Sequence, residues 1–413
     1  MMRAVFCFLF ASTLLPYIYA RSEYRLMAYI VAATIVLWSI SILFLSPQRI
    51  RLAIRIAQQS PHFLLYCALI SINQSISMLL NSELNMFDYI WALGYIIMGL
   101  INYFLFPVFI VVNKLFRTWL AFLISIGTFS SAIAIYVAFT GASKVLGFHI
   151  RQVQLYTPLG IYTTSSIFFE SNRFAISAFF GLLGSLYFLK ERRYVFIGII
   201  TSLLCLSGII ISWSRALYLG SVLGISAWLI ARVKPSQRNQ AFVLLGVLII
   251  LGLLIVTAID PINEALFALG MGGREIYWPA AVKIISQKPL LGYGFGRQEI
   301  VESMLFKYTG IATSIHSTPL SIAFYAGIPV AVLYLVVIFV SLKRLLKSKL
   351  NPSQKSVILG GVVTSSIAAL FLDYIPGGLS YGTILYTVFL GLANASLWLH
   401  YNTDMEASNA SKN

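Results

Sequence analysis

Twelve runs of mostly apolar residues, each about 17 or more residues long, occupy most of this chain: 4–20, 26–46, 62–80, 89–112, 119–140, 174–190, 195–213, 216–231, 241–258, 317–342, 357–374 and 381–399. A run of that length crosses the hydrocarbon core of a bilayer as a helix, because inside the bilayer every backbone N–H and C=O must be paired within its own segment. Soluble domains carry roughly 25% charged residues. This 413-residue chain carries 10%, against 59% hydrophobic residues. The sequence therefore predicts an all-α integral membrane protein with about twelve transmembrane helices. The seventh and eighth runs are the least distinct pair, parted only by Ser214 and Arg215.

The formal net charge of +16 would raise nucleic acid as a partner for a soluble chain. Here the 29 basic residues are scattered through the breaks between runs and form no single basic face, so no nucleic-acid partner is expected. If the first run starts in the cytoplasm, the inner breaks and termini hold 18 of the 29. The other 11 lie outside, and five of them belong to one long segment, 259–316, which the positive-inside rule weighs lightly. Both termini are thus placed in the cytoplasm. Trp91, Trp119, Trp213 and Trp398 stand at run ends, as interfacial aromatics do. Residues 1–20 also allow a cleaved signal peptide ending at Ala20, although Tyr17 and Tyr19 favour a retained span. A single polytopic domain, 1–399, is expected, followed by a polar, disordered tail, 402–413. Two outer segments, 141–173 and the long loop 259–316 between the ninth and tenth runs, are long enough to hold chemistry. Cys7, Cys67 and Cys205 all lie within apolar runs, which favours packing over a disulfide or a metal site.

The long outer loop contains "GREIYWPAAVKIISQKPLLGYGFGRQE". From Arg274 to Lys288, residues Ile276, Tyr277, Ala280, Ala281, Ile284 and Ile285 recur at helical spacing, predicting a short interfacial helix stopped by Pro289. A helix head presents unpaired N–H groups and partial positive charge, so Arg274 there would complete an anion site suited to a diphosphate. A surface arginine snorkelling to lipid headgroups is the competing reading, and the residues alone leave both open. Gly292, Gly294 and Gly296 lack the strand–turn–helix setting of a phosphate fingerprint and read as a tight turn packed by Tyr293 and Phe295. Arg215 stands at the outer end of a span, on the same side as Arg274. There an ionisable group is either functional or snorkelling. His316, where the loop re-enters the bilayer, shares that side, and imidazole is the side chain best suited to accept a proton near neutrality. Glu170 and Arg173 precede the sixth span. They either pair with each other or serve the site, Glu170 by orienting an acceptor and Arg173 as a third cation. The outer acidic residues form no DxD-type pair, so neither a metal nor another cofactor is expected.

In order, "SRALYLG", "GREIYWPAAVKIISQKPLLGYGFG" and "HSTPLSIAFYAGIPVAVLYL" resemble the O-antigen ligase and O-antigen polymerase superfamily of bacterial envelope glycan enzymes. The local similarity covers roughly residues 165–335, and 274–296 is its most specific part. Two departures stand out. His316 is followed by Ser317 where the family commonly has His-Asn, and "FFESNRFA" lacks the proline of the corresponding family region. The resemblance implies a GT-C-like, metal-independent, inverting glycosyltransferase of the bacterial inner membrane with its active site facing the periplasm. Its donor would be an undecaprenyl-diphosphate-linked glycan. Its acceptor would be another lipid-linked glycan in a polymerase or lipid A core in a ligase, and "FFESNRFA" leans toward the polymerase. By the same resemblance Arg215, Arg274 and His316 are the catalytic set, with Arg173 and Glu170 among the binding residues, and a chain-length regulator or a flippase is a possible partner. The rival readings are a twelve-span secondary transporter and a lipid-glycan flippase. A transporter of this size usually shows two comparable halves joined by a long inner connection, whereas the middle connection here is the short "KERRY".

Overall fold

The apolar runs that fall in the described part of the chain fold as helices. A computed structural model describes residues 47–80, 86–112, 114–150, 153–156, 161–168, 170–233, 237, 273–295, 298–378 and 380–397. The first two expected spans, the ninth (241–258), the first part of the long loop, the tail and the signal-peptide alternative all lie outside the described residues.

Helix α1 (Pro47–Gln58) leads into α2 (Pro61–Leu80). Then α3 (Met86–Leu100) and α4 (Phe106–Val112) run on as one rod through a π-helical turn, Ile101–Leu105. Pro107 supplies the cause, because its missing N–H leaves a carbonyl one turn earlier without an α-helical donor. Helix α5 (Phe116–Thr140) is followed by two antiparallel hairpins, β1 (Lys144–Val145) with β2 (Phe148–His149) and β3 (Val153–Tyr156) with β4 (Ile161–Thr164). Next come α6 (Ser171–Phe188), α7 (Val195–Ile211) and α8 (Arg215–Arg232). The remaining elements are α9 (Arg274–Ile285), α10 (Gln298–Thr309), α11 (Thr318–Ala326), α12 (Ile328–Lys347), α13 (Pro352–Ala369) and α14 (Tyr381–Ala395). The described residues are thus mostly helical, and the described part of the long outer loop carries two helices where the sequence predicted one.

Among the described residues, five helices are long and apolar enough to cross a membrane: Pro61–Leu79, Asp88–Val111, Phe116–Thr140, Arg192–Ile211 and Ile328–Lys347. The other expected spans within the described residues are helical but shorter or less oily, for a physical reason. Every residue of α14 is buried, and α6 is buried from Phe174 to Ser185, so both face protein rather than lipid. Close approach, not oiliness, is what such helices need. Gly220 and Gly224 of α8 bring its backbone against Gly360 and Thr364 of α13, and Thr364 Oγ1 donates to Gly220 O at 2.8 Å.

Three expectations are corrected. The run 317–342 is two helices broken at Gly327, whose φ of 86° and contact with the Leu290 carbonyl leave no room for a side chain. The run 357–374 ends as helix at Ala369, and the chain then turns back as irregular backbone between α13 and α14. Its Gly377 lies against Tyr95 and Gly99, well inside α3, so this segment dips into the bundle. Irregular backbone at that depth is tolerated only where protein or a cavity meets its polar groups. Trp119, expected at an interface, is instead wholly buried beside Phe116 and Phe389. Cys67 and Cys205 are buried free thiols, consistent with packing.

Candidate functional site

Three helices begin around one cavity of about 420 Å³. Ser171 and Asn172 open α6, Arg215 and Ala216 open α8, and Arg274 opens α9; all line it, together with Trp213, Ser214 and Phe371. None of the three N-cap residues makes a side-chain cap: Glu170 does not, Ser214 does not, and Gly273 has no side chain to do so. The partial positive ends of three helix dipoles and two guanidinium groups therefore converge on one space. Ser214 would ordinarily cap its own helix. Its Oγ instead donates to Asn172 Oδ1 at 2.6 Å, tying the head of α8 to the head of α6.

Gly273 explains how Arg274 reaches this place. Its φ of 82° turns the chain sharply into α9, so Arg274 is the first helical residue and its side chain leaves at the very head. One guanidinium nitrogen donates to Phe371 O at 3.0 Å, which anchors the arginine while it lines the cavity. The helix ends at Ile285, with Ser286 as C-cap, three residues short of the predicted end; a turn then leads to Pro289.

The "PLLGYGF" stretch is a non-helical seam laid against the last turn of α11, which sharpens the tight-turn reading. Tyr293 N donates to Phe324 O at 2.8 Å, Gly294 N to Tyr325 O at 2.9 Å and Ile328 N to Pro289 O at 2.7 Å. Tyr293 stacks on Phe324 and Phe295 on Tyr325, with centroids 4.8 and 5.2 Å apart. A side chain at Gly292 would sit 2.5 Å from Phe324 O. From α2, Gln74 clasps Phe295, donating to its carbonyl at 3.1 Å and accepting from its N–H at 2.6 Å, while Asn73 donates to Ala326 O at 2.5 Å. Gly296 lies outside the described residues.

His316 is not part of the cavity lining. It sits at the entry to α11 with a φ of 49°, a left-handed conformation that non-glycine residues hold only under constraint. Trp213, which does line the cavity, is another such residue, with a φ of 56°. His316 Nδ1 lies 3.0 Å from Ser314 Oγ, and its ring is 6.2 Å from that of Tyr277, the residue three places after Arg274. Burial pushes the Tyr277 phenol above its ordinary range; Arg274 opposes the shift, and Asp373 and Glu275 add to it. Arg274, Asp373 and Glu275 thus act on Tyr277, and the His316 ring lies beside it.

Glu170 and Arg173 also lie outside the lining. They pair across one turn, Arg173 Nε to Glu170 Oε2 at 3.5 Å, beside the two α6 residues that face the cavity. Both charges also act on Tyr374, so the pair stands near the dipping 370–378 segment. The structure therefore brings Arg215 and Arg274 into one cavity, sets His316 beside it through Tyr277, and leaves Glu170 and Arg173 as a flanking ion pair. Sequence reasoning overlooked Asn172, Ser214, Trp278 and the 371–374 segment. The "SN" of "FFESNRFA" was the one signal that could have pointed to Asn172.

Residues 200–335 match the family model described as O-antigen ligase (Wzy_C). That segment contains Arg215, Arg274 and His316, and the match supports the resemblance drawn from the motifs. With several membrane-length apolar helices, the chain is a multi-pass membrane protein, and the matched domain supports O-antigen ligase or polymerase activity in general. No curated protein matches the chain.

Proposed function

We propose that the chain is an inverting, metal-independent glycosyltransferase that moves an undecaprenyl-diphosphate-linked glycan onto an acceptor sugar on the periplasmic side of the inner membrane. The observation that carries this reading is the convergence of three side-chain-uncapped helix heads with Arg215 and Arg274 on one cavity. A space so built favours a multiply charged anion. In the reaction the acceptor hydroxyl oxygen bonds to the anomeric carbon as the carbon–oxygen bond to the diphosphate breaks. The electron pair stays on the leaving diphosphate, where Arg215 and Arg274 meet the growing charge. The hydroxyl proton passes to His316. Attack opposite the leaving group inverts the anomeric centre. Fixed guanidinium groups and helix dipoles supply the positive charge that a divalent cation would otherwise bring. A twelve-span, GT-C-like bundle with both termini cytoplasmic and a lateral entry for the lipid suits such a donor, and a chain-length regulator or flippase would act beside it.

"FFESNRFA" leans toward a polymerase, whereas the description of the matched family model favours a ligase. The deciding experiment incubates purified protein with undecaprenyl-diphosphate glycan, with and without lipid A core, adding chelator to both arms. Longer lipid-linked glycan without lipid A core marks a polymerase, and glycan on the core marks a ligase. No transfer in either arm, with active protein verified by donor binding, overturns the reading in favour of transport.

A further inference from the structure

We propose that Thr318 is a positioning residue that bolts the 371–374 segment to the helix following His316, and so fixes the Arg274 guanidinium relative to that histidine. This rests on the proposed function for its kinetic consequence but not for its structural one.

The backbone at 371–374 is irregular, with Leu372 and Tyr374 buried and Phe371 and Asp373 half-buried, so its polar groups need partners from elsewhere. Thr318, itself wholly buried, provides three. Its N–H and its Oγ1 both donate to Leu372 O, at 3.1 and 2.7 Å, and the same Oγ1 accepts from Tyr374 N at 2.7 Å. One turn on, Ser321 Oγ donates to Asp373 Oδ1 at 2.5 Å. The residue preceding this brace, Phe371, offers the carbonyl that Arg274 binds at 3.0 Å. Its ring stacks on Trp278 at 6.0 Å, and Trp278 Nε1 in turn donates to Ile315 O, at 2.9 Å, one residue before His316.

These contacts close a circuit through three distant stretches: Arg274–Trp278 on α9, the 371–374 segment, and 315–318 with His316 inside it. Moving any one stretch moves the separation of Arg274 from His316. A hydroxyl is required at 318 because it must donate and accept at once; valine matches the shape and does neither. Serine keeps the function.

The test uses the full chain in lipid nanodiscs, comparing Thr318→Val and Thr318→Ser, each in the native background and in Arg274→Lys, with undecaprenyl-diphosphate glycan as donor. A misplacement of about 1 Å costs on the order of 100-fold in rate, so Thr318→Val should lower kcat by about 10- to 100-fold, with KM changed less than about threefold. Thr318→Ser should restore kcat to within about threefold. In the Arg274→Lys background, where the anchored guanidinium is gone, the valine should cost less than about threefold. Equal losses in both backgrounds, or no difference between valine and serine, overturn the proposal.

Hydrogen exchange of the same proteins gives a readout free of catalysis. Thr318→Val should speed exchange at Tyr374 and in the first turn of α9 while leaving α5 unchanged. Unchanged exchange there overturns the proposal even if the native protein transfers no glycan, a failure that would fall on the proposed function alone. Should Thr318→Val not purify, Ser321→Ala removes the adjoining bond to Asp373 and is judged by the same two measurements.

Discussion

Two arginine-centred sites stand at opposite ends of the bundle, and they use the same side chain for opposite ends. Arg344, in the last turn of α12, gives one nitrogen to Ser60 Oγ at 2.9 Å and Asn394 Oδ1 at 2.5 Å and another to Gln59 O. Ser60 and Asn394 are fully buried and also bond each other, so the cluster staples the α1–α2 junction, α12 and α14 together. Arg274 and Arg215 stand instead on the wall of a 420 Å³ space at the heads of their helices. A guanidinium surrounded by protein acceptors works for the fold. One that borders a cavity at a helix head is placed for a ligand.

The largest effects should separate these roles. Removing one preorganised charge-stabilising group costs about 100- to 1,000-fold in rate. Arg274→Ala and Arg215→Ala are each expected to lose that much turnover while the purified protein keeps its unfolding temperature within a few degrees. His316→Ala should lose a comparable factor if it takes the proton. Native turnover in the arginine variants would place both residues with Arg344 as structural. Conversely, Arg344→Ala takes the charged donor away from the buried Ser60–Asn394 pair and from the Gln59 carbonyl, at about 3 kcal/mol. Thermal unfolding in detergent should show the loss, with kcat per folded molecule little changed. A large kcat loss at full stability would break the comparison from the other side.

Next in size is the seam that supports the cavity end. Gly292→Ala asks a left-handed residue, φ 68°, to carry a side chain 2.5 Å from Phe324 O. About 2 kcal/mol of destabilisation is expected from the conformation and the clash together. Faster exchange at the Tyr293 and Gly294 amides would show it; unchanged protection would mean that the seam does not hold the loop.

What the sequence displayed and what it hid follow from the range of the interactions. The long spans were legible because length and apolarity are local and additive; α2 and α5 needed nothing else. Arg274 was legible as a helix head because Gly273 precedes it and the helical spacing follows directly. Helices α6, α8, α13 and α14 were visible as apolar runs, but their packing against protein through close-approaching glycines was not. The seam at 289–295 was half visible. Its glycines announced a close approach, but the partner carbonyls at Phe324 and Tyr325 and the clasp of Gln74 come from far along the chain. Thr318 and the 371–374 segment gave no sign, since a single hydroxyl answering an irregular turn has no period to detect.

The smallest expected effect tests most finely whether the cavity end is built for charge rather than for stability. Ser214 is the N-cap of α8, yet its hydroxyl goes to Asn172 and not to its own helix. Ser214→Ala should therefore cost only the one hydrogen bond, about 1 kcal/mol, with no capping loss, and lower turnover about fivefold by loosening the head of α6. Ser214→Asp separates the two demands. A carboxylate is a good cap and favours the helix dipole, so the unfolding temperature should equal or exceed that of Ser214→Ala. The same negative charge stands beside Arg215 on the cavity wall, where it competes with an anionic ligand, so donor binding should fall below that of Ser214→Ala. If the aspartate raises stability and leaves donor affinity untouched, the cavity does not hold the diphosphate, and the contrast with the Arg344 cluster fails at its functional end.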